Sequence, residues 1–246
     1  MDAGTKSLLN VLLSVLAPVL VLDHCSVAGE RFWELGTTPA MCLALALPLG
    51  CGLWTFAEKR KVDPITLIGL LGTILTGIVT VYANTGDGAS IRPDTPWWYA
   101  GKEALIALLL GGAVLVTARR KESLLRLFVY SDAIFDIHRI EQSVAEQGLE
   151  APYAQLQWRA SLFTALSLIL SAAANFGLAL YFLLPVLKQP AEQQLLAYNY
   201  AVSSMTWWGY LVIGLPLLGT LFCVLRYLIS KLSQLTGMDR EQLLMH

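Results

Sequence analysis

Lys102 and Glu103 stand side by side in an otherwise apolar stretch, about one helical turn after Trp97 and Trp98. Charges placed in a bilayer are costly and by default mark ion, proton or solute pathways. A carboxylate in this position can carry a proton or bind a cation, while the long lysine stem allows its ammonium to reach back to water. Neighbouring helix residues point roughly 100° apart, so the two need not pair with each other. His24, Arg31 and Arg92 are expected on the same side and are alternative partners for Glu103. Asn10 and Asn175 are the next candidates, because a carboxamide in apolar surroundings must find hydrogen-bond partners. Asp132, Asp136 and His138 form a separate cluster. Two carboxylates four residues apart share a helix face and can hold a metal, but such a face is more simply a solvated one. His24 beside Cys25 supplies two ligand types without the further partners a metal site requires. The chain has no GxSxG, HExxH, phosphate-loop or dinucleotide-binding pattern. No catalytic residue, metal or cofactor is therefore assigned.

These residues must be positioned by membrane helices. Charged residues make up 14% of the 246 and apolar residues 56%, against about 25% charged in an ordinary soluble domain. A spanning helix needs about 20 mainly apolar residues. Six stretches qualify, near residues 7–28, 38–57, 65–84, 99–118, 160–186 and 205–229. The first follows the amino terminus without a small-residue cleavage site and is read as a retained helix. Pro64 suits the first turn of the third, and Trp97-Trp98-Tyr99 form an interfacial belt before the fourth. Residues 122–147 carry Leu127, Tyr130, Ile134, Ile137 and Val144 at helical spacing and read as an amphipathic cytoplasmic helix, ended by Gly148 and Pro152. The expected fold is all-α: one polytopic membrane domain over residues 1–246, with six transmembrane helices and that interfacial helix.

Of the 17 Lys and Arg residues, all but Arg31, Arg92, Lys102 and Lys188 fall on one side of the membrane when the chain is threaded this way. The positive-inside rule then places both termini in the cytoplasm. A net charge of −1 argues against a nucleic-acid partner. Cys25, Cys42, Cys51 and Cys223 form no CxxC pair and are read as small buried hydrophobes.

Pro18, Pro48 and Pro216 fall inside predicted spans, where each removes a backbone hydrogen bond and favours a kink. The freed carbonyls can line a polar site. A weak internal echo accompanies them: Asn10 with Pro18 against Asn175 with Pro185, and Leu47-Pro48-Leu49 against Leu215-Pro216-Leu217. Such an echo would be a parallel repeat, since the matched helices enter in one direction. Thr66, Gly69, Thr73, Gly77 and Thr80, and likewise Thr164, Ser167, Ser171 and Asn175, give faces along which helices can approach closely.

Several motifs carry a resemblance to a known family. They are Leu47-Pro48-Leu49-Gly50, Glu58-Lys59-Arg60-Lys61-Val62-Asp63-Pro64-Ile65, Trp97 through Lys102-Glu103-Ala104-Leu105, Leu127-Phe128-Val129-Tyr130-Ser131-Asp132, and Leu170-Ser171 with Asn175-Phe176. In this order, across nearly the whole chain, they resemble a group of bacterial inner-membrane proteins labelled intracellular septation protein A-like or transporter-like. Ala107 stands where that family carries Pro, and Ser131 where it carries Asn. The resemblance implies a six-helix bacterial inner-membrane protein and supplies no established catalytic residue. The expected function is a transporter or channel-like protein for a small solute or ion, a homo-oligomer in the lipid bilayer, with Lys102 and Glu103 as a gate or ion site helped by Asn10, Asn175 and His24. A membrane scaffold for envelope or division machinery is the alternative, using the amphipathic helix and the Thr236–Arg240 tail. A third reading is a cytoplasmic-face enzyme built on Asp132, Asp136 and His138.

Overall fold

The computed structural model describes residues 16–29, 31–59, 64–84, 89–120, 123–131 and 134–244. Asn10, Lys6, Asp132 and residues 7–15 of the first predicted span lie outside them, as do Arg60, Lys61 and Lys121. Among the described residues the structure is helical. The β interactions among the described residues are the isolated bridges Ala28–Leu35, Asn84–Ile91 and Phe135–Leu244. The helices are α1 (Ala17–Cys25), α2 (Thr37–Lys59), α3 (Pro64–Ala83), α4 (Thr95–Thr117), α5 (Leu124–Phe128), α6 (Ile137–Glu146), α7 (Glu150–Leu183), α8 (Ala191–Gly209), α9 (Leu215–Thr236) and α10 (Arg240–Leu243).

Among the described residues, four helical segments are long and apolar enough to cross a membrane: Thr37–Trp54, Thr95–Thr117, Glu150–Lys188 and Ala191–Thr236. Their outward faces carry large apolar side chains such as Leu170, Tyr181, Leu218 and Phe222, each more than half exposed. A surface so rich in exposed apolar groups suits hydrocarbon as its solvent.

Two boundaries differ from the sequence reading. The fifth stretch begins at Glu150, not near residue 160, and its helix of 34 residues runs roughly 51 Å at 1.5 Å per residue. Pro152 is accommodated in the first turn, where its missing N–H leaves no bond unmade. The segment after Lys188-Gln189-Pro190, read as a loop reaching to residue 205, is helical from Ala191. It continues through a π-helical turn at Tyr210–Gly214 into α9. That turn lies immediately before Pro216, which has no N–H to donate. Pro48 alone sits inside a regular helix, whereas Pro18 occupies the first turn of α1 and Pro185 a 3₁₀ turn. The proposed echo therefore has no matching backbone at its prolines.

The chain divides into two compact units, Met1–Ile106 with Ala174–Leu211, and Ala107–Ala173 with Val212–His246. In the first, α1 packs on α2 and α8, and α2 on α3. Its core joins Met41, Val79, Tyr99, Leu183, Leu195 and Tyr198. The start of α8 is tied to the connection between α3 and α4 by Leu195 N donating to Ala89 O at 2.7 Å and Ile91 N donating to Gln194 Oε1 at 3.2 Å.

In the second unit, the predicted interfacial helix resolves into α5 and α6. Ile137, Ile140 and Val144 are buried with Tyr130, Phe135, Leu228, Leu232 and Leu243. The amphipathic face thus meets protein, including the C-terminal segment through the Phe135–Leu244 bridge. Gly148, with φ of 65°, ends α6 in a conformation that L side chains avoid, which fixes the turn into α7.

Candidate functional site: a polar cavity in the first unit

Tyr99, Lys102 and Glu103 lie in the first turns of α4, which opens after Pro93-Asp94. Trp97 N and Trp98 N both donate to Asp94 O. The Asp94 carboxylate also accepts from Tyr82 Oη at 2.7 Å and from Trp98 Nε1 at 3.0 Å. Those bonds hold its carboxyl below the usual carboxylate range, the Tyr82 bond first among the causes. Arg92 stacks over the Tyr82 ring at 4.8 Å. This cluster of Tyr82, Arg92, Asp94 and Trp98 fixes where α4 begins, and hence which way its first turns face.

Lys102 does not reach back to water. Its side chain is 5% exposed, and Nζ bonds to Glu103 Oε1 at 2.5 Å. Nζ also donates to Thr76 Oγ1 at 2.9 Å and lies 4.0 Å from the Tyr99 ring centroid. Thr76 in turn donates to Gly72 O at 2.9 Å. Its hydroxyl hydrogen is therefore committed and its oxygen is left to accept from the ammonium. An ion pair, a hydroxyl and an aromatic face together compensate one buried charge.

Asn199 on α8 completes the polar set. It is fully buried, and Nδ2 donates to Ser26 Oγ at 2.9 Å and to Thr37 O at 3.1 Å. Ser26 Oγ itself donates to Leu22 O at 2.7 Å. Both groups facing Nδ2 are acceptors, which fixes the amide orientation and leaves Oδ1 as a buried acceptor with no hydrogen-bond partner. Tyr198, its neighbour, packs edge-on against Tyr99 with centroids 6.3 Å apart and lies beside Thr80.

These groups surround a cavity of about 400 Å³. Lys102, Glu103, Thr76, Thr80, Tyr198 and Asn199 form its polar part. Pro18, Leu22, Met41, Leu45, Pro48 and Ile106 give it apolar walls. Such a mixture is the usual make-up of a small-molecule site. Thr76 and Thr80 come from α3 one turn apart, and Tyr198, Asn199, Val202 and Thr206 share one face of α8.

The expected site residues are sorted by this geometry. Lys102 and Glu103 lie in the cavity and pair with each other. Glu103 does not meet Arg31, which bonds to Glu34 and stacks on Trp33, nor Arg92. His24 is exposed and Asn175 half-buried, and neither lines the cavity. Asn10 lies outside the described residues. Pro18 and Pro48 are both in the wall. Thr164 and Ser167 donate to carbonyls of their own helix, at Ala160 and Thr164, and add nothing to a polar lining. Asp136 caps α6, accepting from Arg139 N at 3.1 Å, and His138 is exposed. Among the described residues no group of three or more His, Cys, Asp or Glu is placed to hold a metal. Asn199, Tyr198 and Thr76 were missed as site residues, whereas Thr80 belongs to the small and hydroxyl face noted in the third predicted span. The signal for Tyr198 and Asn199 was the polar spacing of residues 198–204, which fell between the predicted spans ending at 186 and beginning at 205.

Scans of protein-family models, of curated proteins and of solved structures found no match to this chain.

Proposed function

We propose that this chain is a six-spanning inner-membrane protein with cytoplasmic termini that binds a small solute in the cavity around Lys102 and Glu103 and carries it across the bilayer. The single observation behind this reading is the Asn199 Oδ1 acceptor, oriented by two donated bonds and unpaired beside that cavity. A buried acceptor without a partner costs free energy, of order 1–3 kcal/mol, and a bound donor relieves it. The Lys102–Glu103 pair leaves the cavity with no net charge from its own side chains. The chemistry favours a solute with an N–H or O–H donor and an apolar body: a small amine, amide or zwitterion.

The span count rests on α3, a helix of 20 residues, and on α1, added to the four long segments. Orientation rests on the Lys and Arg asymmetry. The cavity is formed within one chain, so solute binding needs no second copy even if the protein is a homo-oligomer. The resemblance to septation protein A-like or transporter-like proteins is compatible with this reading. The scaffold alternative is weakened because the amphipathic face it relied on is covered by Leu228, Leu232 and Leu243.

The test is thermal unfolding of the purified protein in detergent against small amines, amides and amino acids. A ligand of the folded state at one hundred times its dissociation constant adds about 2.7 kcal/mol. A solute-specific rise that disappears in Glu103→Gln, followed by flux of that solute into proteoliposomes, is the expected result. A flat response to every class overturns the reading.

A further inference from the structure

The second unit holds a larger cavity, about 560 Å³, with a different lining. It opens beside Ala118-Arg119-Arg120, where α4 has just ended, and is closed by Arg126, Glu141, Tyr153 and the α7 residues Gln157 and Trp158. The Arg119 guanidinium stacks on Trp158, with Cζ 5.1 Å from the ring centroid. Arg126 bonds to Glu141 and lies 5.9 Å from the Tyr130 ring. The Tyr153 hydroxyl is paired with Tyr130 at 3.0 Å. Gln157 Nε2 is buried and donates to no acceptor.

Every charged group in the lining can be assigned. Arg126 and Glu141 neutralise each other, so Arg119 and Arg120 remain as two cations on a lining that also holds the Gln157 amide, beside Tyr153. Stacking on indole holds the Arg119 fork in one plane, which reduces the ordering cost of bidentate binding. A planar guanidinium presents parallel N–H donors whose spacing matches two oxygens of a phosphate. Carboxylate ligands are also bound in this way, but two arginines and an amide supply more donors than one carboxylate can accept. A tetrahedral anion uses them all.

We infer that this cavity is a phosphate-recognition site, in which Arg119 and Arg120 grip a phosphate group and Gln157 Nε2 donates to one of its oxygens. Placement at the end of the apolar α4 run puts it at headgroup depth in the membrane reading given above, so a phospholipid headgroup and a free phosphate ester offer the same chemistry.

Two arms separate those sources. In the first, the full-length protein is placed in nanodiscs of phosphatidylcholine alone or with phosphatidylglycerol. In the second, detergent-purified protein is titrated with inorganic phosphate against chloride at matched ionic strength. Thermal midpoint is the readout in both. The variants are Arg119→Gln with Arg120→Gln, Gln157→Leu, and Arg139→Gln as an exposed arginine outside the cavity. A rise with phosphatidylglycerol or with phosphate is expected, lost in the double arginine variant and kept in Arg139→Gln. Gln157→Leu should weaken phosphate binding about ten- to a hundredfold, the worth of one hydrogen bond to a charged group. Circular dichroism of each variant checks folding, and since Arg119 and Arg120 are exposed the double variant should retain its helix content. The inference is overturned if neither probe raises the midpoint, or if the rise survives in the double arginine variant or falls equally in Arg139→Gln.

Discussion

Asn199 Nδ2 donates to Ser26 Oγ across 2.9 Å, joining residues 173 apart in the chain. With the bond to Thr37 O, one side chain of α8 ties the end of α1 to the start of α2. The same two bonds engage Nδ2 and leave Oδ1 unpaired. The residue that ties these two helix ends to the middle of α8 therefore also carries an unpaired acceptor in the cavity wall.

Replacing Asn199 with Ala removes both donated bonds. The Thr37 carbonyl then lacks a buried donor, while Ser26 keeps its bond to Leu22. The expected loss of stability is about 1–3 kcal/mol. Hydrogen exchange should speed up at the amides around residues 26–40. Unchanged exchange there, with an unchanged unfolding midpoint, would show that the two bonds carry no weight.

The Lys102–Glu103 pair should respond asymmetrically to substitution. Glu103→Gln retains an acceptor for Nζ but leaves an ammonium whose side chain is 5% exposed without its counter-charge. We expect a loss of about 1–3 kcal/mol, below the roughly 3–5 kcal/mol of a fully buried pair, because Glu103 is itself 28% exposed. Combining it with Lys102→Met removes the stranded charge and should recover part of that loss, as coupled neighbours do. Denaturant titration in mixed micelles measures all three proteins, and a strictly additive double variant would contradict the coupling.

Much of this architecture was legible from composition and spacing. Lys102 and Glu103 stood out because charge is rare in apolar stretches, and α4 starts close to where the Trp97-Trp98 belt suggested. Asn199 was hidden for the opposite reason. Residues 191–204 contain Glu192, Gln193, Gln194, Asn199, Ser203 and Ser204, so their low hydropathy reads as a loop. In the fold, Tyr198, Asn199 and Ser203 face inward and are buried. Polarity there serves an interior cavity, and only tertiary structure distinguishes that from a solvated turn. The residues between 122 and 147 meet the same limit: an amphipathic pattern specifies one apolar face without saying whether lipid or protein covers it.

Gly111 and Gly112 are adjacent in α4 and should respond oppositely to alanine. A Cβ on Gly111 would stand 3.3 Å from Ala165 O and 3.3 Å from Leu168 Cβ on α7. Because one of those atoms is backbone, the helices must separate slightly, at a cost of about 1–3 kcal/mol. A Cβ on Gly112 meets nothing within 4 Å, so alanine there should be neutral or stabilising by up to about 1 kcal/mol from helix propensity. Thermal midpoints of the two variants, measured side by side, test this. Equal shifts would mean that the α4–α7 approach at Gly111 is not tight.

Alkaline pH should loosen the second unit through Tyr130. Burial first, then the adjacent Tyr153, pushes its phenol far above the ordinary value near 10. Below that pH both folded and unfolded chains hold the phenol neutral, so its contribution is fully present. As pH rises past about 10 the unfolded chain ionises while the folded chain does not, and stability falls by about 1.4 kcal/mol per pH unit from this group alone. Tyr130→Phe removes that dependence while stranding the Tyr153 hydroxyl, to which Tyr130 is bonded at 3.0 Å. The variant should therefore be less stable at pH 8, by about 1 kcal/mol, yet lose stability more slowly between pH 10 and 12. Tyr153 loses the bond that lowers its phenol, so burial holds it raised in both proteins, and the phenols that do not touch Tyr130 cancel in the comparison. Parallel unfolding-midpoint curves over that range would mean that Tyr130 ionises as readily folded as unfolded, and that its burial does not hold the phenol neutral.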